Sequence, residues 1–182
     1  MLYVRRVTDA AEVARPIAEQ SLAGEEACLR ITRTGFALSY IPAGAPEWRV
    51  FPRAAGAEPA AVLRDPSAAL FGAFAGDLCI GTAAVRAEET RWSRLLDIRV
   101  DAQFRRQGAG RLLLESCAGF GHSVGMQGIC ADTTDTNPVM CQFLEHCGFQ
   151  VGGIDRMRLI LTPSEREKPL MRRACGLTFY LK

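Results

Sequence analysis

The chain lacks most features that would announce a binding function outright. It has only two histidines, His122 and His146, and neither has a carboxylate or cysteine at a ligand spacing, so no metal site is expected. It has no long run of like charge: 22 basic residues stand against 20 acidic, a net charge of +2, and the arginine pairs at 5–6, 105–106 and 172–173 are scattered. Such a balance creates no field for a polyanion, which argues against nucleic acid as a partner. The most apolar stretch, 66–85, is broken by Gly76-Asp77 and reads as a hairpin rather than a membrane span. There is no C-x-x-C pair among the seven cysteines, and the opening residues are charged too early for a secretory leader. A reduced, cytoplasmic protein is the expectation. Internal repeats and low-complexity tracts are also absent.

What is present is an ordinary globular composition, 48% hydrophobic and 23% charged over 182 residues, enough for a single domain spanning 1–182. After a short β-like start, Thr8 and Asp9 are good caps for a first helix over 11–22, which Pro16 would shorten or kink. Residues 36–40 alternate as a half-buried strand does, with Pro42, Gly44 and Pro46 as its stop. From 41 to 65 no period is sustained, so a long loop is expected, with one short helix near 58–63. A hairpin over 68–74 and 78–85 and a strand over 92–100 follow. Ala109, Leu113, Cys117, Phe120 and Val124 then recur at helical spacing. Further expectations are a strand over 128–134, a helix opened by Asn137-Pro138 and closed by Gly148, and strands over 149–161 and 174–181 flanking a charged loop at 164–169. The pattern predicts an α+β fold: a mixed, mostly antiparallel sheet of about six to seven strands flanked by helices. Its one parallel pair is 92–100 with 128–134.

One motif carries chemistry. Immediately after the strand ending at Val100 comes Phe104-Arg105-Arg106-Gln107-Gly108-Ala109-Gly110-Arg111, running directly into the amphipathic helix. Glycines there let backbone N–H groups converge on an anion at the positive end of the helix. Arg105, Arg106 and Arg111 add charge-assisted bonds suited to a pyrophosphate. The G-K-[ST] ending of a P-loop is missing and G-A-G is too short for a dinucleotide fingerprint, which disfavours both of those readings.

The segment resembles the R/Q-x-x-G-x-G/A signature of the GNAT family of acetyl-CoA-dependent N-acetyltransferases. Asn137, Phe143 and Gly148-Phe149 are similar to that family's second helix and closing turn. Residues 36–42, 148–155 and 177–181 resemble its streptothricin acetyltransferase branch. The resemblance implies acetyl-CoA as acyl donor, with its pyrophosphate on the amides of Gln107, Gly108, Ala109, Gly110 and Arg111. It implies that the parallel pair is splayed and that the pantetheine arm lies in the gap along Ile98, Arg99 and Val100, with Asn137 and Phe143 as further contacts. It implies direct transfer to a primary amine of a small cationic molecule, and a monomer or homodimer.

Three positions depart from the family pattern. Leu96 stands where a glutamate commonly acts as general base, Leu144 where a tyrosine often protonates the leaving thiolate, and Met140 where a small residue is usual. Asp97 and Cys141 are the candidate catalytic residues that remain, with Asp132, Tyr40 and Tyr180 as further substitutes. Asp132 and Asp135 are candidates for an acceptor pocket that attracts a cationic amine. The departures leave a second reading open, a GNAT-like protein that binds acyl-CoA with little or no catalysis.

Overall fold

The computed structural model describes residues 1–17, 20–33, 35–51, 53–156 and 174–182. Along the chain come β1 (Leu2–Val7), β2 (Gln20–Thr32), β3 (Gly35–Val50), the one-turn helix α1 (Pro59–Val62), β4 (Ala68–Ala75), β5 (Leu78–Ala87) and β6 (Ser93–Val100). They are followed by α2 (Ala109–Ser123), β7 (Ile129–Thr134), α3 (Pro138–His146), β8 (Gln150–Asp155) and β9 (Gly176–Leu181). Seven strands form one sheet in the order β1-β4-β5-β6-β7-β9-β8, and β2 with β3 form a second, two-stranded sheet. The β6–β7 pair is parallel, while β1–β4, β4–β5, β5–β6 and β8–β9 are antiparallel. This is the mixed α+β fold expected. The charged loop at 164–169, the end of the strand expected over 149–161, and Arg172-Arg173 lie outside the described residues.

The described residues group into two compact units, one from Met1–Glu19, Pro52–Ala131 and Lys182, the other from Gln20–Phe51 and Asp132–Leu181. In the first, the β4–β5 hairpin turns at Gly76, whose φ of 60° places a glycine where a tight two-residue turn needs positive φ. Val7, Val62, Leu70, Phe74 and Ala84 are buried in one cluster, with Leu96 packed against it. α2 lies on β1, β4, β5 and β6 and buries Ala109, Leu113, Leu114, Cys117 and Gly121. Full burial of a side chain such as Leu113, 0% exposed, stabilises by about 2–3 kcal/mol. The buried stripe differs from the expected one at its end. Val124 caps the helix and is exposed, because Gly121 closes on Ser93, where an added Cβ would meet the Ser93 hydroxyl.

β6 carries a bulge. Val85 faces Leu95 and Ala84 faces Asp97, so Leu96 is the extra residue that bends the strand. The parallel ladder to β7 is three pairs long, from Ser93↔Ile129 to Leu95↔Ala131. Beyond it the β6 register continues with β5 through Val100↔Gly81.

The largest departures from expectation lie in the first 50 residues. The helix expected over 11–22 is a single 3-10 turn, Ala10–Val13, capped by Asp9 in a capping box with Glu12, and residues 20–22 already belong to β2. The strand expected to stop at Pro42 runs on to Val50, which removes the first part of the expected 41–65 loop. The prolines interrupt the ladder without ending it: Glu25 faces Pro42 and Ala23 faces Glu47, so four residues of β3 stand opposite Gly24 alone. Prolines are tolerated because a two-stranded sheet has free edges that need no donor. α3 starts at Pro138 with Asn137 as N-cap, its Oδ1 accepting from Met140 N at 3.2 Å, and ends before Gly148 at φ 91°. Pro138, Cys141 and Leu144 are its fully buried residues.

Candidate functional site

The anion cradle begins where β6 ends. Asp101 N donates to Ile80 O at 2.8 Å, and the Asp101 side chain caps the 3-10 turn Ala102–Phe104 through Gln103 N at 3.1 Å. Arg15 holds that carboxylate from the N-terminal segment, Nη2 to Oδ2 at 2.6 Å, and also donates to Cys79 O at 3.2 Å. Arg105 donates from Nε to Val100 O at 2.9 Å, tying the turn back to the strand. Arg106 then adopts φ 63° and Gly108, the N-cap of α2, φ 88°. For an arginine the left-handed region carries strain of about 1–2 kcal/mol. These two residues turn the chain into α2, and Leu112 N to Gly108 O at 3.1 Å closes the first helical turn.

The amides of residues 107–111 therefore stand at the positive end of a 15-residue helix, where a helix offers its unpaired donors. Residues 106–108 are exposed, and a Cβ built on Gly108 would meet nothing within 4 Å. That space suits a ligand approaching the backbone closely. Arg111 is exposed and pairs with Glu115 at 3.2 Å, a helical i,i+4 pair weak enough to exchange for a better anion.

Asp97 lies on β6, one residue past the bulge. Its carboxylate accepts from Arg99 Nε at 2.9 Å and from Arg53 Nε at 3.0 Å, and Arg99 is itself buried. Leu96 packs against the core cluster, so that position is walled by hydrocarbon. Ile98 and Val100 are half-buried on the same strand.

On α3, Cys141 is fully buried and its thiol points to Thr134 O at 3.5 Å. Burial foremost, with Glu145 and Asp135 adding repulsion, pushes that thiol up to about 12, so it is protonated at neutral pH. Tyr40 donates to Glu145 at 2.6 Å, and desolvation followed by that bond raises its phenol well above the usual range. Asp132 accepts from Thr178 at 2.6 Å. Asp135 binds Cys175 through Oδ1 to its N–H at 3.0 Å. The Tyr180 ring covers Gly152, where a Cβ would come within 2.6 Å. Phe143 and Met140 are half-buried, and Leu144 is in the core. Among the described residues no cluster of three His, Cys, Asp or Glu could hold a metal ion, and no helix is long and apolar enough to cross a membrane.

Residues 36–149 match the model of the acetyltransferase (GNAT) family. The chain belongs to this family. As a GNAT member it is an acetyl-CoA-dependent N-acetyltransferase. It is 33% identical over 147 residues to the streptothricin acetyltransferase of Streptomyces lavendulae, covering 77% of this chain and 76% of that one. Its fold is shared by a candidate streptothricin acetyltransferase of Bacillus anthracis, solved with acetyl coenzyme A, at a TM-score of 0.83 and 17% identity. That likeness covers 100% of this chain and 99% of the other. A nourseothricin acetyltransferase shares it at a TM-score of 0.75 and 21% identity, covering 99% and 97%.

The GNAT cradle is supported by two residues the motif did not reveal. Asp101 had a local signal, an acidic residue placed to cap the turn that follows. Arg15 lies 86 positions away, and nothing near it in sequence points to the cradle.

Proposed function

We propose that this GNAT protein acetylates an amino group of a small cationic molecule of the streptothricin class, within the reducing cytoplasm. The observation that carries the donor side is the pair of left-handed residues, Arg106 and Gly108, that deliver the helix amides to open space. The amides of Gln107, Gly108, Ala109, Gly110 and Arg111 bind the pyrophosphate of acetyl-CoA, and the exposed guanidiniums of Arg106 and Arg111 neutralise it. Arg105 holds the end of β6, so that the backbone of Ile98, Arg99 and Val100 is fixed for the pantetheine arm. Asn137 and Phe143 keep their assignment to acetyl-CoA on the strength of the family motif. When bound, acetyl-CoA supplies the acetyl group as a thioester. The acceptor side rests on the 33% identity to the Streptomyces lavendulae enzyme.

Asp97 and Cys141 fit supporting roles better than proton transfer. The Asp97 carboxylate is committed to two guanidiniums, and the Cys141 thiol keeps its proton in the core. The acceptor amine then loses its proton to water, and coenzyme A departs as a thiolate, a leaving group that needs no enzyme acid. The test is release of free thiol from acetyl-CoA in the presence of streptothricin, with acetylated product identified by mass. Absence of thiol release with streptothricin at saturating acetyl-CoA would overturn the substrate assignment.

A further inference from the structure

The N-terminal segment reaches the cradle through one side chain, from outside the 36–149 stretch that carries the family pattern. Arg15 follows the capped turn Ala10–Val13, and that turn is anchored on two sides. Val13 is buried in the cluster that holds Val7, Leu70 and Phe74. Glu12 accepts from the amides of Thr8 and Asp9 at 3.1 Å and pairs with Arg5. The Arg15 guanidinium is thus delivered from a fixed base. It donates from Nη1 to Cys79 O near the start of β5 and from Nη2 to Asp101 Oδ2 just past β6. Its planar fork therefore bridges two neighbouring strands, a geometry that a single ammonium holds less rigidly. All these residues belong to the same compact unit as the cradle.

The two oxygens of the Asp101 carboxylate have separate partners. Oδ1 accepts from Gln103 N at 3.1 Å and so caps the turn Ala102–Phe104, while Oδ2 accepts from Arg15 at 2.6 Å. The Asp101 side chain is only 14% exposed, against 40% for Arg15. Water therefore does little to compensate its charge, and the guanidinium does most. The amides to which the pyrophosphate is assigned begin just beyond, after one 3-10 turn and the left-handed Arg106. A bare carboxylate at that place would repel the phosphates that the helix end attracts. With Arg15 bound to it the pair is neutral, and the arginines of the cradle act on the ligand unopposed.

We propose that Arg15 is a positioning residue for acetyl-CoA: it orients and neutralises Asp101, which keeps the cradle capped and free of a competing negative charge. Arg15 acts through Asp101 rather than on the cofactor itself. The inference rests on the assignment of the pyrophosphate to the helix amides, and it adds a charge balance supplied from outside the motif.

The test is a double-mutant cycle on the full chain, read as the Kd for coenzyme A by calorimetry at low salt. Arg15→Met keeps an apolar stem, removes the charge, and is expected to weaken binding about 10-fold. Asp101→Asn keeps an oxygen for Gln103 N and removes the carboxylate charge. In that background Arg15→Met is expected to cost less than about twofold, because no bare carboxylate remains. Asp101→Ser, another capping residue, provides a second neutral background, and melting temperatures identify any variant that fails to fold. Arg15→Lys returns the charge without the fork and recovers part of the loss. Added salt narrows the gap between wild type and Arg15→Met by screening the repulsion. A purely structural role for Arg15 would instead weaken binding equally whether residue 101 is charged or neutral. That result overturns the proposal, as does a change below about twofold in Arg15→Met. A wild-type chain that binds no coenzyme A is a different failure: it overturns the pyrophosphate assignment itself, and this proposal with it.

Discussion

Gly108 bears the sharpest conformational demand in the cradle. At φ 88° any L side chain there is strained, so Gly108→Ala is expected to lower stability by about 1–2 kcal/mol, read from urea denaturation. Gly108→Asp adds a negative charge where the phosphates bind and should reduce acetyl-CoA affinity at least tenfold by calorimetry; unchanged affinity would refute the cradle. Cys141 makes a different prediction, through pH. Its thiol is raised to about 12 in the folded protein, while an unfolded thiol ionises near pH ~8.5. Above the lower value the unfolded chain has lost a proton that the native chain keeps. Stability fully present below it therefore falls as pH rises through the window, by on the order of 1 kcal/mol per pH unit. Cys141→Ala should flatten that alkaline fall in denaturation series from pH 8 to 11, with part of the slope remaining from Cys117, whose thiol burial also raises. An identical fall in the variant would show that Cys141 does not cause it. The cradle residues were legible because they are contiguous. The Tyr40–Glu145 and Arg53–Asp97 bonds were not, since they span 105 and 44 positions and chain periodicity carries no trace of such a pairing.

Among elements, β6 matters most, because its bulge and its last residues lead into the cradle. Gly81 on β5 faces Val100, and a Cβ there would lie 2.8 Å from the Arg99 carbonyl and 3.2 Å from Leu113. Backbone on one side and a packed helix on the other leave little room to yield. Gly81→Ala is expected to destabilise by about 1–3 kcal/mol and to raise KM for acetyl-CoA more than KM for the amine. A variant with wild-type kinetics would show that the end of β6 does not position the donor. The hairpin, α2 and α3 were readable from turn residues, helical spacing and caps, all local signals. The N-terminal region was not. Alanines at 10–14 favour a helix, but Pro16 cuts it short and residues 20–32 gain a long-range partner in β3. No local propensity reports that partner. The same pairing explains why Pro42 and Pro46 punctuate β3 without ending it.

For the molecule as a whole, charge and thiols set the testable behaviour. All seven cysteines are thiols outside any disulfide, and Cys79, Cys117, Cys130 and Cys141 are buried. An aromatic disulfide reagent should therefore label the native protein only in part and reach all seven after denaturation; full labelling of the native state would contradict this core. Acetyl-CoA at 100 times its Kd should stabilise the fold by about 2.7 kcal/mol through mass action, visible as a raised Tm. The near-zero net charge conceals local contrast, a guanidinium-rich cradle on one unit and, on the other, carboxylates such as Glu25 and Glu145 held by neutral side chains.

The interruption in β3 has an evolutionary consequence. The four residues opposite Gly24 lie between two ladder segments, each held by its own register. Insertions or deletions between Pro42 and Glu47 can therefore lengthen or shorten this stretch of β3 without displacing the paired segments on either side. Related enzymes are expected to differ in chain length at this point while keeping the same pairing of the two ladder segments.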